Sequence, residues 1–238
     1  MFDGNPAIIT TQTKHKNMNL KEYQRIYNVP ENSAPGWDAI DQALLHVYGK
    51  NEPKHFGTIE KYMSGGPDPL DGVSVYTSNN SGIRHQHFIS YGMTNLYYDE
   101  EAVGSEFSGF GFEFTFRLKV NKDLEETYWP INLMQNLARY VFSSGNLFEP
   151  GHFMPANGPI ALDTDTDTEL WAVCFVQDPE INSIISPHGL VQFLQIVGIT
   201  QAEYDALQEK RISVQQLLER LSENNPLLIT DLRRKSIV

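Results

Sequence analysis

One cysteine in 238 residues, few cations against many anions, and no long apolar run are what this chain is short of. The single thiol, Cys174, excludes an intramolecular disulfide and fits a reducing compartment. It lies inside Leu170-Trp-Ala-Val-Cys-Phe-Val176 with no base beside it, so it reads as a small core side chain, not a nucleophile. Lys and Arg number 18 against 30 Asp and Glu, a formal charge of −12. An acidic surface repels phosphate backbones, which excludes nucleic acid from the expected partners and leaves room for a basic protein. No run approaches the roughly 18 to 20 apolar residues that cross a bilayer. The start, Met1-Phe-Asp-Gly-Asn-Pro, lacks the basic and apolar regions of a secretory signal. No membrane partner and a cytoplasmic address are therefore expected.

Catalytic signatures are missing too. There is no Gly-x-Ser-x-Gly elbow, no His-Glu-x-x-His and no local triad signature. Gly65-Gly-Pro-Asp-Pro-Leu-Asp71 has no lysine or serine where a phosphate loop needs them. Gly109-Phe-Gly111 is followed by a strand, where a dinucleotide fingerprint needs a helix. The expectation is a protein that is not an enzyme and carries no cofactor.

What is present is patterned. Phe112, Phe114, Phe116, Leu118 and Val120 alternate with Glu113, Thr115, Arg117 and Lys119. A period of two makes this a strand with one aromatic and one charged face, predicting a sheet covered on one side and open to water on the other. Shorter strands are expected at 73–76, 85–91, 170–177, 191–197 and 227–230. Helices are predicted from Asn19, from Pro35 to Gly49, from Trp129-Pro130 to Gly145, and after capping boxes at Thr200–Glu203 and Ser213–Gln216. Residues 150–159 read as loop. Residues 1–33 are expected to be a loosely attached polar extension and 34–238 the domain. The fold class is α/β (α+β), a mixed, mainly antiparallel sheet with flanking helices.

Three clusters invite a chemical reading. On a strand His85 and His87 share a face and could meet one metal ion, but further ligands would have to come from distant residues. Asp163-Thr-Asp-Thr-Asp-Thr-Glu169 begins like a calcium loop, yet Thr168 stands where the turn glycine belongs and Cys174 where the glutamate belongs. It reads as a solvated acidic loop. Asp68 and Asp71 sit in a glycine- and proline-rich pair of turns and can bond local amides.

Six segments together resemble the amino-terminal domain of the suppressor of fused family. They are Tyr62-Met-Ser-Gly-Gly-Pro-Asp-Pro-Leu-Asp71, His85-Gln-His-Phe-Ile-Ser-Tyr-Gly92, Ser108-Gly-Phe-Gly-Phe-Glu-Phe-Thr-Phe-Arg-Leu-Lys119, 129–142, Phe193-Leu-Gln-Ile-Val-Gly198 and 228–234. The resemblance spans about residues 35–235, in order and at comparable spacing. It implies a mixed sheet with flanking helices and no catalytic activity. In animals the family restrains Gli transcription factors, gripping an extended peptide between two domains by strand addition. This chain stops near the close of the first domain, which turns the expectation away from Gli-type clamping. The family's peptide-contacting tyrosine matches Tyr140. Where the animal proteins place an aspartate just after a glycine, this chain has Gly151 followed directly by His152.

Single-domain relatives, mostly bacterial, are proposed from gene neighbourhoods to be immunity proteins that neutralise toxins. The resemblance and the negative charge thus lead to a non-enzymatic, immunity-type protein that binds a basic toxin. A peptide-binding or scaffold module acting by strand addition is the first rival, and a metal-dependent enzyme centred on His85 and His87 the second. The expected contact residues are Tyr140, Arg139, His152, Asp68, Asp71, His85 and His87.

Overall fold

The aromatic alternation predicted at 111–120 becomes, up to Lys119, the carboxy-terminal part of a long strand, Phe107–Lys119, in a computed structural model that describes residues 18–28, 33–120, 127–161 and 167–238. In chain order the elements are α1 (Leu20–Tyr27), α2 (Pro35–Tyr48), β1 (Lys54–Gly57), a single 3₁₀ turn at Tyr62–Ser64, β2 (Gly72–Ser78), β3 (His85–Tyr91) and β4 (Phe107–Lys119). Then follow α3 (Trp129–Ser144), β5 (Phe153–Pro155), β6 (Leu170–Gln177), β7 (Ile184–Ser186), β8 (Gly189–Thr200), α4 (Gln201–Gln208) and α5 (Val214–Ser222). The sheet runs β1-β2-β3-β4-β8-β6-β5, with β7 added against β8. Among these strand pairs only β4 with β8 is parallel; the others are antiparallel. The mixed, mainly antiparallel sheet predicted from sequence is present.

One face meets α3. Phe88, Phe112, Phe114, Phe116, Phe175 and Ile196 pack beneath Met134, Leu137, Ala138 and Val141 of that helix. Each fully buried ring contributes about 1.5–3 kcal/mol over its exposed state. Phe107 and Phe112 both pair with β8 across a register shift, and the glycines between them make that shift feasible. Gly109 and Gly111 have φ of 54° and 84°, and a Cβ on Gly109 would stand 2.7 Å from the Met93 carbonyl.

The other face is not open to water, contrary to the alternation's promise. α2 covers Ile89, Tyr91 and Phe193, and α4 and α5 cover Cys174, Val197 and Ile199. Glu113, Thr115 and Arg117 lie between these patches at 0% exposure. Their polarity survives burial because partners are supplied: Arg117 pairs with Asp178, and Glu113 accepts from the turn at Gly92–Thr94. Alternation reports two unlike faces; it does not report which face is wet.

Several local expectations need correction. Residues 150–159 contain β5, paired with β6 from Phe153↔Cys174 to Pro155↔Ala172. The late strand at 227–230 reduces to an isolated bridge, Leu118↔Thr230. α1 is not loosely attached: Tyr23 is fully buried and stacks on Tyr98, its hydroxyl 2.8 Å from His188 Nε2. Both capping boxes form, at Thr200–Glu203 and Ser213–Gln216. Asp163 and Asp165 of the acidic loop lie outside the described residues.

Candidate functional site: an apolar pocket beside a free strand edge

α3 opens with Trp129-Pro130, where proline's missing N–H is harmless, and closes on Gly145 at φ 73°, whose N–H donates to the Val141 carbonyl. That left-handed cap turns the chain back along the helix. Phe148 then inserts between Tyr140 and Phe175, with ring centroids 5.5 and 4.3 Å away. Gly151 at φ 92° donates to the Phe175 carbonyl, and the His152 carbonyl accepts from Phe175 N–H at 2.9 Å, feeding the chain into β5.

The result is a cavity of about 460 Å³ lined by Tyr140, Leu147, Phe148, Gly151, His152, Phe153 and Met154. Tyr140 is 42% exposed and Leu147 47%. The Tyr140 hydroxyl accepts from Asn146 Nδ2 at 3.1 Å, and His152 Nδ1 accepts from Glu149 N–H at 3.2 Å. β5 ends the sheet, and among the described residues no strand lies on its outer side. His152 C=O and Ala156 N–H both address β6. The alternation of an antiparallel ladder therefore turns the N–H and C=O of Phe153 and the C=O of Pro155 outward. Pro155 has no N–H to offer, so the free edge is short and acceptor-rich.

Of the seven residues expected to touch a partner, this site unites Tyr140 and His152. Arg139 faces elsewhere: its guanidinium reaches Asp68 Oδ1 at 2.5 Å and the Pro67 carbonyl at 3.3 Å, fastening the Gly65–Asp71 turns to α3. Asp71 is further removed, accepting from the Tyr97 hydroxyl beside Lys61.

His85 and His87 are withdrawn from any partner surface. Both are fully buried on the sheet face opposite α3. His87 Nδ1 is 2.5 Å from the Tyr48 hydroxyl, and Nε2 stands 3.3 Å from Asp178 Oδ2 without hydrogen-bond alignment. With Nδ1 accepting from the Tyr48 hydroxyl, the ring proton stands on Nε2, on the side of Asp178 but without a hydrogen bond to it. Burial and then the Arg117 charge push this imidazole down to about 4. A guanidinium beside it also disfavours a metal ion. Among the described residues no three His, Cys, Asp or Glu side chains are grouped to hold a metal. Burial raises the Cys174 thiol to about 12, so it stays protonated in the core.

Leu147, Phe148, Phe153 and Met154 escaped sequence reading. The available signal was an apolar pair between two glycines, Gly145 and Gly151, just after a helix.

A family model described as Suppressor of fused protein (SUFU) matches residues 66–235. The chain belongs to the suppressor of fused family. The Suppressor of fused homologs of Mus musculus and Homo sapiens are each 39% identical over 193 residues, covering 76% of this chain and 39% of theirs. The chain thus spans about two fifths of the length of these curated relatives. A structure described as the Sufu-Fu complex is 32% identical at a TM-score of 0.75, covering 85% of this chain and 92% of that one. Drosophila Suppressor of Fused gives 31% and 0.75 over 85% and 51%. A SUFU homolog from Neisseria gonorrhoeae, at 17% identity, TM-score 0.57 and coverage of 85% and 97%, shares the fold. Among the described residues, no helix of this suppressor of fused domain is long and apolar enough to cross a membrane.

Proposed function

We propose that this suppressor of fused domain is a non-enzymatic protein-binding module that holds an extended partner segment along the outer edge of β5. The observation that carries the reading is the apolar Tyr140–His152 cavity placed directly beside strand groups that face outward. Main-chain bonds to Phe153 and Pro155 would supply register, and one partner side chain beside Tyr140 would supply selectivity. That a similar domain was solved in a Sufu-Fu complex supports a protein as the occupant. The contact set is Tyr140 and His152, with Arg139 and Asp68 positioning the helix behind them.

A finer reading names the partner as a basic toxin, with the domain acting as a cytoplasmic immunity-type protein. The formal charge of −12 supports it, because complementary charge speeds association with a cationic partner. Co-expression with a toxin encoded beside its gene tests this: growth is rescued by the wild-type chain and lost again with Tyr140→Ala. Rescue that is indifferent to Tyr140→Ala refutes the site. Absence of rescue from every neighbouring toxin refutes the immunity reading and leaves the peptide module.

A further inference from the structure

A second cavity, of about 630 Å³, opens on the other side of α3. Tyr140 lines the first pocket and Phe142 the second, as residues two apart on a helix face roughly 200° apart. Phe142 meets Tyr62 and Phe110 edge-on, at 5.1 and 4.8 Å between centroids, making an aromatic wall. The floor is the Gly92–Thr94 turn, and it is rigid. The buried Glu113 carboxylate accepts from Gly92 N–H at 3.1 Å, Thr94 N–H at 3.0 Å and the Thr94 hydroxyl at 2.6 Å.

The lining contains Asp71 and Asp99 but no lysine, arginine or histidine. Of the acidic run Asp99-Glu-Glu-Ala-Val-Gly-Ser-Glu106, Asp99 lines the cavity, while Glu100 is held by Gln24 and Tyr98. One ammonium already stands at this cavity. Lys61 Nζ lies 4.1 Å from the centre of the Tyr97 ring, on the hydroxyl side, 2.5 Å from that hydroxyl and 3.6 Å from Asp71 Oδ2. Tyr97 in turn donates to Asp71. A ring face backed by a carboxylate is what a cation seeks, and half of the Lys61 side chain remains in solvent.

We propose that this cavity is a second binding site that takes an arginine side chain, flanked by an apolar residue, from a basic partner segment, and that Lys61 is the resident cation it displaces. A planar guanidinium stacks on Tyr97 while bonding Asp71, which an ammonium cannot do as fully. The apolar neighbour packs on Tyr62, Phe110 and Phe142. The inference rests on the protein-binding reading but uses a surface separate from β5.

The test is an amide-resolved NMR titration with acetyl-Arg-Leu-amide, against the uncharged citrulline analogue. Saturable shifts are expected across 92–99 and at Tyr62 with the arginine probe alone. Losing a charge-assisted contact corresponds to about tenfold, so Asp71→Asn weakens binding by that factor. Removing the competitor with Lys61→Met, an exposed change that leaves the fold intact, tightens it about threefold. No saturable shift at 92–99, equal shifts with citrulline, or weaker binding in Lys61→Met overturns the proposal. Shifts confined to 147–154 overturn this site and leave the β5 reading standing. Shifts at 92–99 without any segment bound at β5 support this site and count against the other.

Discussion

Replacing Arg117 with methionine removes the positive centre of the second sheet face while keeping most of its volume. In the native arrangement Arg117 gives Asp178 two hydrogen bonds, at 2.7 and 3.1 Å, and reaches Glu180 at 3.1 Å and the Gln195 side-chain oxygen. Burial alone would raise the Asp178 carboxyl, but His87 and Arg117 outweigh it and hold the group well below the usual carboxylate range. Arg117→Met leaves that carboxylate buried. Breaking a buried pair from one side costs about 3–5 kcal/mol. Asp178 keeps three donors, the Thr115 hydroxyl and the amides of Glu180 and Ile181, which places the expected loss at about 3 kcal/mol. For a chain of this size that is a Tm about 6–12 °C lower.

Urea unfolding followed by tryptophan fluorescence measures the change, with an unaltered m-value as the sign that only stability moved. Adding Asp178→Asn removes the stranded charge, so the double variant recovers part of the loss and the two changes are non-additive. A loss below about 1 kcal/mol, or strict additivity, would refute the claim that this pair is buried and coupled.

Tyr140→Ala weakens capture of a β5-bound segment by about 2 kcal/mol, roughly thirtyfold by calorimetry, and leaves the fold intact because the ring is partly exposed. Thr200→Ala removes a formed capping box and costs about 1 kcal/mol in urea. Two buried groups give opposite pH slopes. Burial raises Glu113 from 4.5 to about 7, so its contribution is present below its unfolded value and is lost as pH rises toward 7. His87 is lowered from 6.5 to about 4, so its contribution is present above 6.5 and is lost as pH falls toward 4. Each interval corresponds to about 3 kcal/mol. Melting curves from pH 4.5 to 7 should therefore gain a rising slope in Glu113→Gln and a falling one in His87→Gln relative to wild type; slopes of one sign would refute the assignment.

The elements that sequence made legible are those whose signal is local. Strand β6 follows from an uninterrupted apolar run, α3 from Trp129-Pro130 and Gly145, and both caps from side chains three residues apart. β5 was hidden because three residues ending in proline have no period, and its pairing is set by β6, which follows it in the chain. The charged face of β4 misled for a related reason. Asp178, the group that permits Arg117 to be buried, lies 61 positions away, and no pattern within the strand announces it. The same distance effect moved His85 and His87 from an expected contact surface into the core.

α3 ties these observations together. Its inner face, at Met134, Ala138 and Val141, is buried in the aromatic core, while Tyr140 and Phe142 turn toward different pockets. Arg139 pins the same helix to the Gly65–Asp71 turns, and Asp71 belongs to the second pocket. Any change that shifts α3 must therefore alter both pockets, whereas a change at Tyr140 or Asp71 touches one. Val141→Ala, which removes buried methyls without reaching either cavity, distinguishes the cases. Loss of binding at both sites would place α3 as their common support, and an unchanged pair would mean that each pocket is held by its own loop.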